Sequence, residues 1–362
     1  MKTGPMEFQH GGYVLNLASL AGCRAGDLLD FSANINPLGP PDCLRQVILR
    51  SLDTVAHYPD PYCVDLRRAI ASAFSLPVEQ VVCGNGSTEL LYALPCALTV
   101  TRAVIPVPSY IDYSVAITRA GLDAAFIAQD AESGFSVDWS RIDQELSGGE
   151  MVIAGQPGNP SGAMFKPAAL LDVADRHPAT LFVIDEAFAD FVRGYRSMAS
   201  YGRPNIIVLR SMTKFYAIPG LRLGYVLAPE PIADLISGFL PPWSVGGLTQ
   251  AVGVAVLDDR PYAEKTHREI ALLREQLHQG LAEMGCLTVF PSAANYLLIH
   301  LNHAILDARE LARRLLSRRI AIRVCDNYKG LDDRYFRVAV RTADENQRLL
   351  DAIAVLLGNE IA

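Results

Sequence analysis

The chain has 362 residues, half of them hydrophobic and a fifth charged, with 27 glycines and 22 prolines; this is the composition of a folded two-domain protein, not of a linker. Lys and Arg number 32 against 39 Asp and Glu, a net charge of -7, which argues against a nucleic-acid or acidic-membrane partner, since either requires a clustered positive surface. The seven cysteines, at 23, 43, 63, 83, 96, 286 and 325, are odd in number and form no C-x-x-C pair, so reduced thiols are expected and no metal site. No apolar run is long enough to span a bilayer, and the start "MKTGPMEFQHGG" lacks the apolar centre of a signal peptide. The expected location is the cytoplasm.

In chain order, residues 1–40 read as an irregular arm around "SANINPLGPPD" that packs with the smaller of two domains. A large domain is expected over 41–245. Within it "VDLRRAIASAF" has helical periodicity, and "RAVIPV", "MVIAG", "TLFVIDE", "NIIVLR" and "LGYVLA" read as buried strands bounded by Gly, Pro or polar turns. Helices alternating with such runs predict an α/β domain with a mostly parallel sheet, whose ligands sit beyond the carboxyl ends of the strands. After "LPPWSVGG" the pattern changes to a long helix over about 249–284 interrupted near "DDRPY". The strands "ANYLLIHL", "IAIRV" and "YFRVAVR" and a last helix "DENQRLLDAIAVLL" complete a smaller α+β domain over 246–362. The basic run "ARELARRLLSRRIAIR" carries leucines at helical spacing, so its arginines read as a solvated helix face, apart from Arg323 beyond the helix.

Five stretches could carry chemistry. "GNGSTELLYAL" (84–94) sets glycines and a Ser-Thr pair before a helix, which suits an anion site, and equally an ordinary cap by Ser87 or Thr88. It is neither a P-loop nor a dinucleotide fingerprint. "TLFVIDEAFADF" leaves Asp185 and Glu186 at a strand end, where a carboxylate could keep a pyridine nitrogen protonated, act on Mg²⁺, or merely face solvent. "GQPGNPSG" (155–162) holds Asn159 in a Gly/Pro turn, and "VPSYIDYS" offers Tyr110 as a stacking face or a core residue.

The fifth, "SMTKFYAIPGLRLGY" (211–225), admits two readings. Ser211 and Lys214 form the S-x-x-K pair of penicillin-binding sites, or Lys214 is a Schiff-base lysine. The first reading needs S-x-N and K-T-G downstream, whereas "SAN" (32–34) and "KTG" (2–4) lie upstream in reversed order. It also needs a helix opening at the serine, which Pro219-Gly220 forbids.

Together these stretches, with "YFRVAVR", resemble the fold-type-I pyridoxal-phosphate enzymes of the class I/II aminotransferase family, over nearly the whole chain. The resemblance implies the aspartate aminotransferase-like α/β fold. It implies that Lys214 binds the aldehyde of pyridoxal 5'-phosphate, Asp185 pairs with the pyridine nitrogen, Tyr110 stacks on the ring and Asn159 bonds its 3-oxygen. Gly86, Ser87, Thr88, Ser211, Thr213 and Arg222 would hold the phosphate, and Arg337 the substrate carboxylate. Tyr58 in "AHYPDPY" would reach a neighbouring subunit's site, which implies a homodimer. Phe188 departs from the family, many of whose members carry a tyrosine there. "HGG" (10–12), "LLDFSANINPLGPP" and "DEAFADF" resemble the family's threonine-phosphate decarboxylases of cobalamin biosynthesis, with histidinol-phosphate aminotransferases, or decarboxylases of phosphoserine or a phosphonate amino acid, as the alternatives. On that resemblance His10, Gly11, Asn34, Asn159, Arg323 and Arg337 fall at substrate-binding positions.

Overall fold

The computed structural model describes residues 10–358. After a short helix, Val14–Leu20, the arm contributes strand β1 (Leu29–Asp30). The arm is thus less irregular than its sequence suggests. Seven strands then build the large sheet: β2 (Val81–Asn85), β3 (Ala103–Val107), β4 (Ala124–Ala128), β5 (Met151–Gly155), β6 (Leu181–Asp185), β7 (Ile206–Ser211) and β8 (Leu223–Leu227). Their spatial order is 2-8-7-6-5-3-4.

Most strands are near-continuous apolar runs because both faces of the sheet are covered by helices. The two-residue period then splits one run between two cores. Val152, Phe182, Ile184 and Val208 point to one face, and Met151, Ile153, Val183 and Ile207 to the other. β8 is antiparallel to both neighbours, β2 and β7, while the remaining pairings are parallel. Its amino end therefore lies at the same edge as the carboxyl ends of the others. Asn85, Gly155, Asp185, Ser211 and the residue before β8, Arg222, all come to that edge.

The second sheet is antiparallel, with β9 (Leu287–Val289), β10 (Tyr296–Leu301), β12 (Arg323–Val324) and β13 (Tyr335–Ala339) in the order 12-13-10-9, while β11 (Ile320–Ala321) pairs in parallel with β1 of the arm. Phe31 of the arm is fully buried in this second core. The helix Gly247–Leu257, on the small-domain side of the expected boundary, buries Val252 and Val256 in the large core. Along the next helix, Arg260–Ala282, Ile270 joins the large core, whereas Leu273, Leu277 and Leu281, four residues apart, join the small one. We therefore propose that the domains divide between Ile270 and Leu273 in place of 245/246. No helix among the described residues is long and apolar enough to cross a membrane.

Candidate active site

Lys214 lies in the turn that leaves β7. Its Nζ donates to Ser211 Oγ at 3.0 Å, and that hydroxyl is 2.8 Å from Thr213 Oγ1. The turn closes through a single 3-10 turn at Pro219–Leu221, and Arg222 takes a left-handed φ of 54°. A non-glycine residue in that region is uncommon and marks a backbone held by its surroundings. Withdrawal from water draws the Lys214 ammonium down to about 8, with Asp185 opposing the shift and Arg222 adding to it. Across the cleft, at the end of β6, Asp185 accepts from Tyr113 Oη at 2.7 Å and from the Ala187 amide at 3.0 Å. Burial raises the Asp185 carboxyl, and Lys214, Tyr113 and the Ala187 amide hold the rise in check.

The helix Gly86–Ala97 begins against this edge, at a glycine with φ +80°. A Cβ on Gly86 would stand 2.6 Å from Arg222 Nη2, and one on Gly224 would stand 2.3 Å from the Ser87 amide nitrogen. These glycines let the helix end, β8 and a guanidinium converge. The N-cap Asn85 makes no side-chain cap bond, and its own amide is taken by Glu89 Oε2 at 2.6 Å. The cap expected of Ser87 or Thr88 is therefore not formed at the N-cap position. Exposed amides at a helix start, its dipole, Arg222 and the hydroxyls of Ser87, Thr88, Ser211 and Thr213 together suit a phosphate. With the lysine and the buried carboxylate facing each other, the residues present fit a phosphorylated pyridine aldehyde.

On the far wall, Arg337 of β13 donates through Nη1 to Asn159 Oδ1 at 2.5 Å and through Nη2 to the Ser32 carbonyl at 2.9 Å, with its guanidinium 5.2 Å above the Tyr296 ring. Because the Asn159 oxygen is engaged by Arg337, its amide NH₂ is left to donate into the cleft. Among the described residues, Asn34 Oδ1 and Arg337 Nε are buried without a hydrogen-bond partner. Buried polar atoms are rarely left so, and in a cleft they point to a ligand. Arg323 stands opposite Arg337 in the β12–β13 register. It donates to the Val324 carbonyl and, at 2.7 Å, to Asn327 Oδ1, and its guanidinium lies 5.3 Å over the Tyr328 ring.

Residues 26–353 match the model of the family described as aminotransferase class I and II. The chain belongs to this family. It is 35% identical over 353 residues to the threonine-phosphate decarboxylase of Salmonella typhimurium, covering 96% of both chains. It is 34% identical to the adenosylcobalamin biosynthesis bifunctional protein CobDQ of Leptospira interrogans, of whose length it spans 41%. Among solved structures, the histidinol-phosphate aminotransferase of Clostridium acetobutylicum matches with a TM-score of 0.86 at 29% identity, over 92% of this chain and 100% of that one. The L-threonine-O-3-phosphate decarboxylase of Porphyromonas gingivalis matches with a TM-score of 0.81 at 25% identity, over 91% and 100%.

For this class I and II family member, one cleft wall gathers most of the residues singled out from sequence. His10, Gly11, Asn34, Ser87, Thr88 and Tyr110 line it, as do Asn159, Asp185, Lys214 and Arg337. Gly86, Ser211, Thr213 and Arg222 stand directly behind Ser87 and Lys214. Two residues are not brought there. Tyr58 is 83% exposed and packs 5.0 Å from the Trp243 ring, and Arg323 does not line the cleft although Tyr328 does. Phe188 places its ring 5.5 Å from Lys214 Nζ and edge-on to Tyr296 at 4.9 Å, so an apolar face stands where many relatives carry a hydroxyl. Sequence reasoning missed Tyr113, Asp112 and Tyr328. The first two sit within "VPSYIDYS", where Asp112 opens the helix Asp112–Arg119 and Tyr113 follows it, two and three residues past Tyr110.

Proposed function

We propose that the protein is a pyridoxal 5'-phosphate-dependent carboxy-lyase that decarboxylates L-threonine O-3-phosphate to (R)-1-amino-2-propanol O-2-phosphate in cobalamin biosynthesis. The observation that carries this reading is that Arg337 and His10 line the same cleft as Lys214 and Asp185. They suit a substrate with two anionic groups. The match to a threonine-phosphate decarboxylase along 96% of both chains supports the same substrate.

Bound in this cleft, the cofactor supplies an electron sink for a bond broken at the carbon bearing the amino group. Asp185 holds a proton at the ring nitrogen, and Tyr113 and the Ala187 amide fix the orientation of its carboxylate. Gly86, Ser87, Thr88, Ser211, Thr213 and Arg222 hold the cofactor phosphate. Asn159 turns its amide to the 3-oxygen, kept in that sense by Arg337. Tyr110 covers the ring, its hydroxyl bound to Asp112 Oδ2 at 2.7 Å. Lys214 would hold the cofactor by its aldehyde and, when free as the amine, would carry the proton for the reacting carbon. Arg337 grips the substrate carboxylate with the bidentate geometry guanidinium provides, and so sets which bond stands across the ring. His10 faces the substrate phosphate, with Arg323 behind the cleft wall on the Tyr328 ring, and Asn34 offers its unpartnered oxygen to the substrate.

A histidinol-phosphate-type aminotransferase is the second reading, favoured by the TM-score of 0.86 to the enzyme from Clostridium acetobutylicum. We further infer a homodimer. Tyr58 is exposed with Tyr62, Leu49, Leu52, Val55 and Trp243 near it in the chain or in space, an apolar surface that a second copy would cover. Turnover of O-phosphothreonine, O-phosphoserine and histidinol phosphate, each with and without 2-oxoglutarate, separates the readings. Release of CO₂ from O-phosphothreonine is expected; glutamate formation from histidinol phosphate without CO₂ release from any of the three would replace the proposal by its alternative.

A further inference from the structure

The mouth of the cleft is crossed by the arm, and the arm is held at both sides. On the small-domain side Gly11 and Gly12 pack on Ser32, further along the arm. A Cβ on Gly11 would stand 2.1 Å from the Ser32 carbonyl oxygen, and the Gly12 amide donates to Ser32 Oγ at 3.0 Å. Ser32 is itself fixed, its hydroxyl donating to Asp30 Oδ1 at 2.5 Å and its carbonyl accepting from Arg337. On the large-domain side the contact is between side chains. His10 Nε2 lies 3.4 Å from Asp112 Oδ1, and the other carboxylate oxygen takes the Tyr110 hydroxyl at 2.7 Å.

Asp112 opens the helix Asp112–Arg119 and is 6% exposed. An acid in the first turn of a helix commonly serves the helix, through its dipole or its amides. Here both oxygens are used on side chains of the site. Burial alone would raise its carboxyl, and the hydrogen bonds from His10 and Tyr110 outweigh that and hold it below the usual range, with Tyr92 adding to them. One buried carboxylate thus joins a residue of the arm to the ring that covers the cofactor position. The remaining His10 ring nitrogen, Nδ1, is the one left to meet a ligand in the cleft, which His10 lines.

We propose that Asp112 is a positioning residue that latches the arm over the cleft, holding His10 at the substrate-phosphate position and Tyr110 over the cofactor with its two oxygens. The inference rests on the reading of His10 as a ligand of the substrate phosphate. A carboxylate behind an imidazole fixes the orientation of the ring, so the phosphate meets a preplaced group.

The test uses the cofactor-loaded enzyme with Asp112→Asn, Asp112→Glu, His10→Gln and the double variant Asp112→Asn/His10→Gln. Asp112→Asn is expected to raise KM for O-phosphothreonine about ten-fold while kcat stays within about two-fold, the pattern of lost substrate binding rather than lost chemistry. Asp112→Glu, which keeps the charge, is expected to recover part of that loss. In the His10→Gln background Asp112→Asn should add little, because the two residues act as one unit. Additive losses, or an unchanged KM in Asp112→Asn, would overturn the latch. The affinity of the same four proteins for inorganic phosphate, measured by calorimetry, repeats the comparison without turnover. A wild type that releases no CO₂ defeats the substrate reading, yet coupled losses of phosphate affinity would still support the latch and additive ones would reject it. Where Asn at 112 prevents folding, Asp112→Glu and His10→Gln alone decide: equal KM values for Asp112→Glu and wild type beside an unaffected His10→Gln would also reject it.

Discussion

Lys214 is the residue on which the chemistry turns, and its surroundings give it a distinctive titration. In the cofactor-free protein its ammonium loses its proton near 8 instead of the ordinary 10.5 because it is withdrawn from water. The neutral amine attacks an aldehyde, so the rate at which the protein captures pyridoxal phosphate, followed by absorbance, should rise with pH through about 8 and then level off. A rate still climbing toward 10.5 would contradict the assigned environment. Lys214→Ala should abolish both the absorbance and turnover. Tyr113 offers a second test at this scale. Removing its hydroxyl leaves the buried Asp185 with one hydrogen bond fewer, and a charged group's hydrogen bond is worth roughly 1.5 to 3 kcal/mol. Tyr113→Phe should therefore weaken cofactor binding by at least about ten-fold, read by dialysis and reloading, with a smaller effect on KM.

Part of this was legible because motif residues sit next to strand ends: local patterns made Asp185, Asn159 and Lys214 candidates, and the family resemblance gave them, and Arg222, their roles. Tyr113 and Asp112 were not, because a tyrosine and an aspartate at a helix start have ordinary structural uses, and only the fold turns them toward Asp185 and His10. Arg323 was found but does not reach the cleft wall, since it is turned onto the Tyr328 ring.

At the scale of elements, the junction between β8 and the helix Gly86–Ala97 governs the phosphate cradle. The nearest neighbours of a Cβ on Gly224 are backbone atoms of Gly86 and Ser87, at 2.3 to 2.8 Å, which cannot move aside as a side chain could. Gly224→Ala should push the helix start off the sheet and lower cofactor affinity, measured by titration of the apoprotein, far more than Gly220→Ala, where a Cβ meets open space. Unchanged affinity in Gly224→Ala would contradict the cradle.

A second element is held by Glu150, buried before β5. It accepts from the Ser147 amide and hydroxyl, the Gly148 amide and Thr180 Oγ1. Burial acts to raise its carboxyl, but these bonds prevail and bring it down to about 2 from 4.5. A folded-state value below the unfolded one stabilises the fold above 4.5, and that contribution is lost as pH falls toward 2. Glu150→Gln should cost roughly 2 to 3 kcal/mol in denaturant unfolding at pH 7, and the difference from wild type should shrink in acid. An equal difference at pH 7 and pH 3 would refute the assignment.

The element pattern was legible where strands are continuous apolar runs, as in "MVIAG" and "NIIVLR". It was weaker for β2 and β4, which carry a glycine and a run of alanines and lack β-branched density. Nor could periodicity reveal that β8 runs against its neighbours, although that reversal brings Arg222 to the site.

For the whole molecule, the sequence indicated two domains, but the long helix Arg260–Ala282 serves both cores, so no local change in pattern marks the division we propose between Ile270 and Leu273. The proposed dimer rests on the exposed apolar surface around Tyr58. Sedimentation should find twice the chain mass, and mixing the separately inactive Lys214→Ala protein with a Tyr58→Ala protein of weakened cofactor binding should restore activity through hybrid dimers carrying one intact site. A monomer of full activity would exclude shared sites.

The central claim is that this cleft removes the carboxylate of a phosphorylated amino acid, and the fate of one carbon tests it most directly. With O-phospho-L-threonine labelled with ¹³C at the carboxyl carbon, the loaded enzyme is predicted to release the label as CO₂ and bicarbonate and to leave an unlabelled aminopropanol phosphate. Label retained in an amino acid or a 2-oxo acid would contradict it.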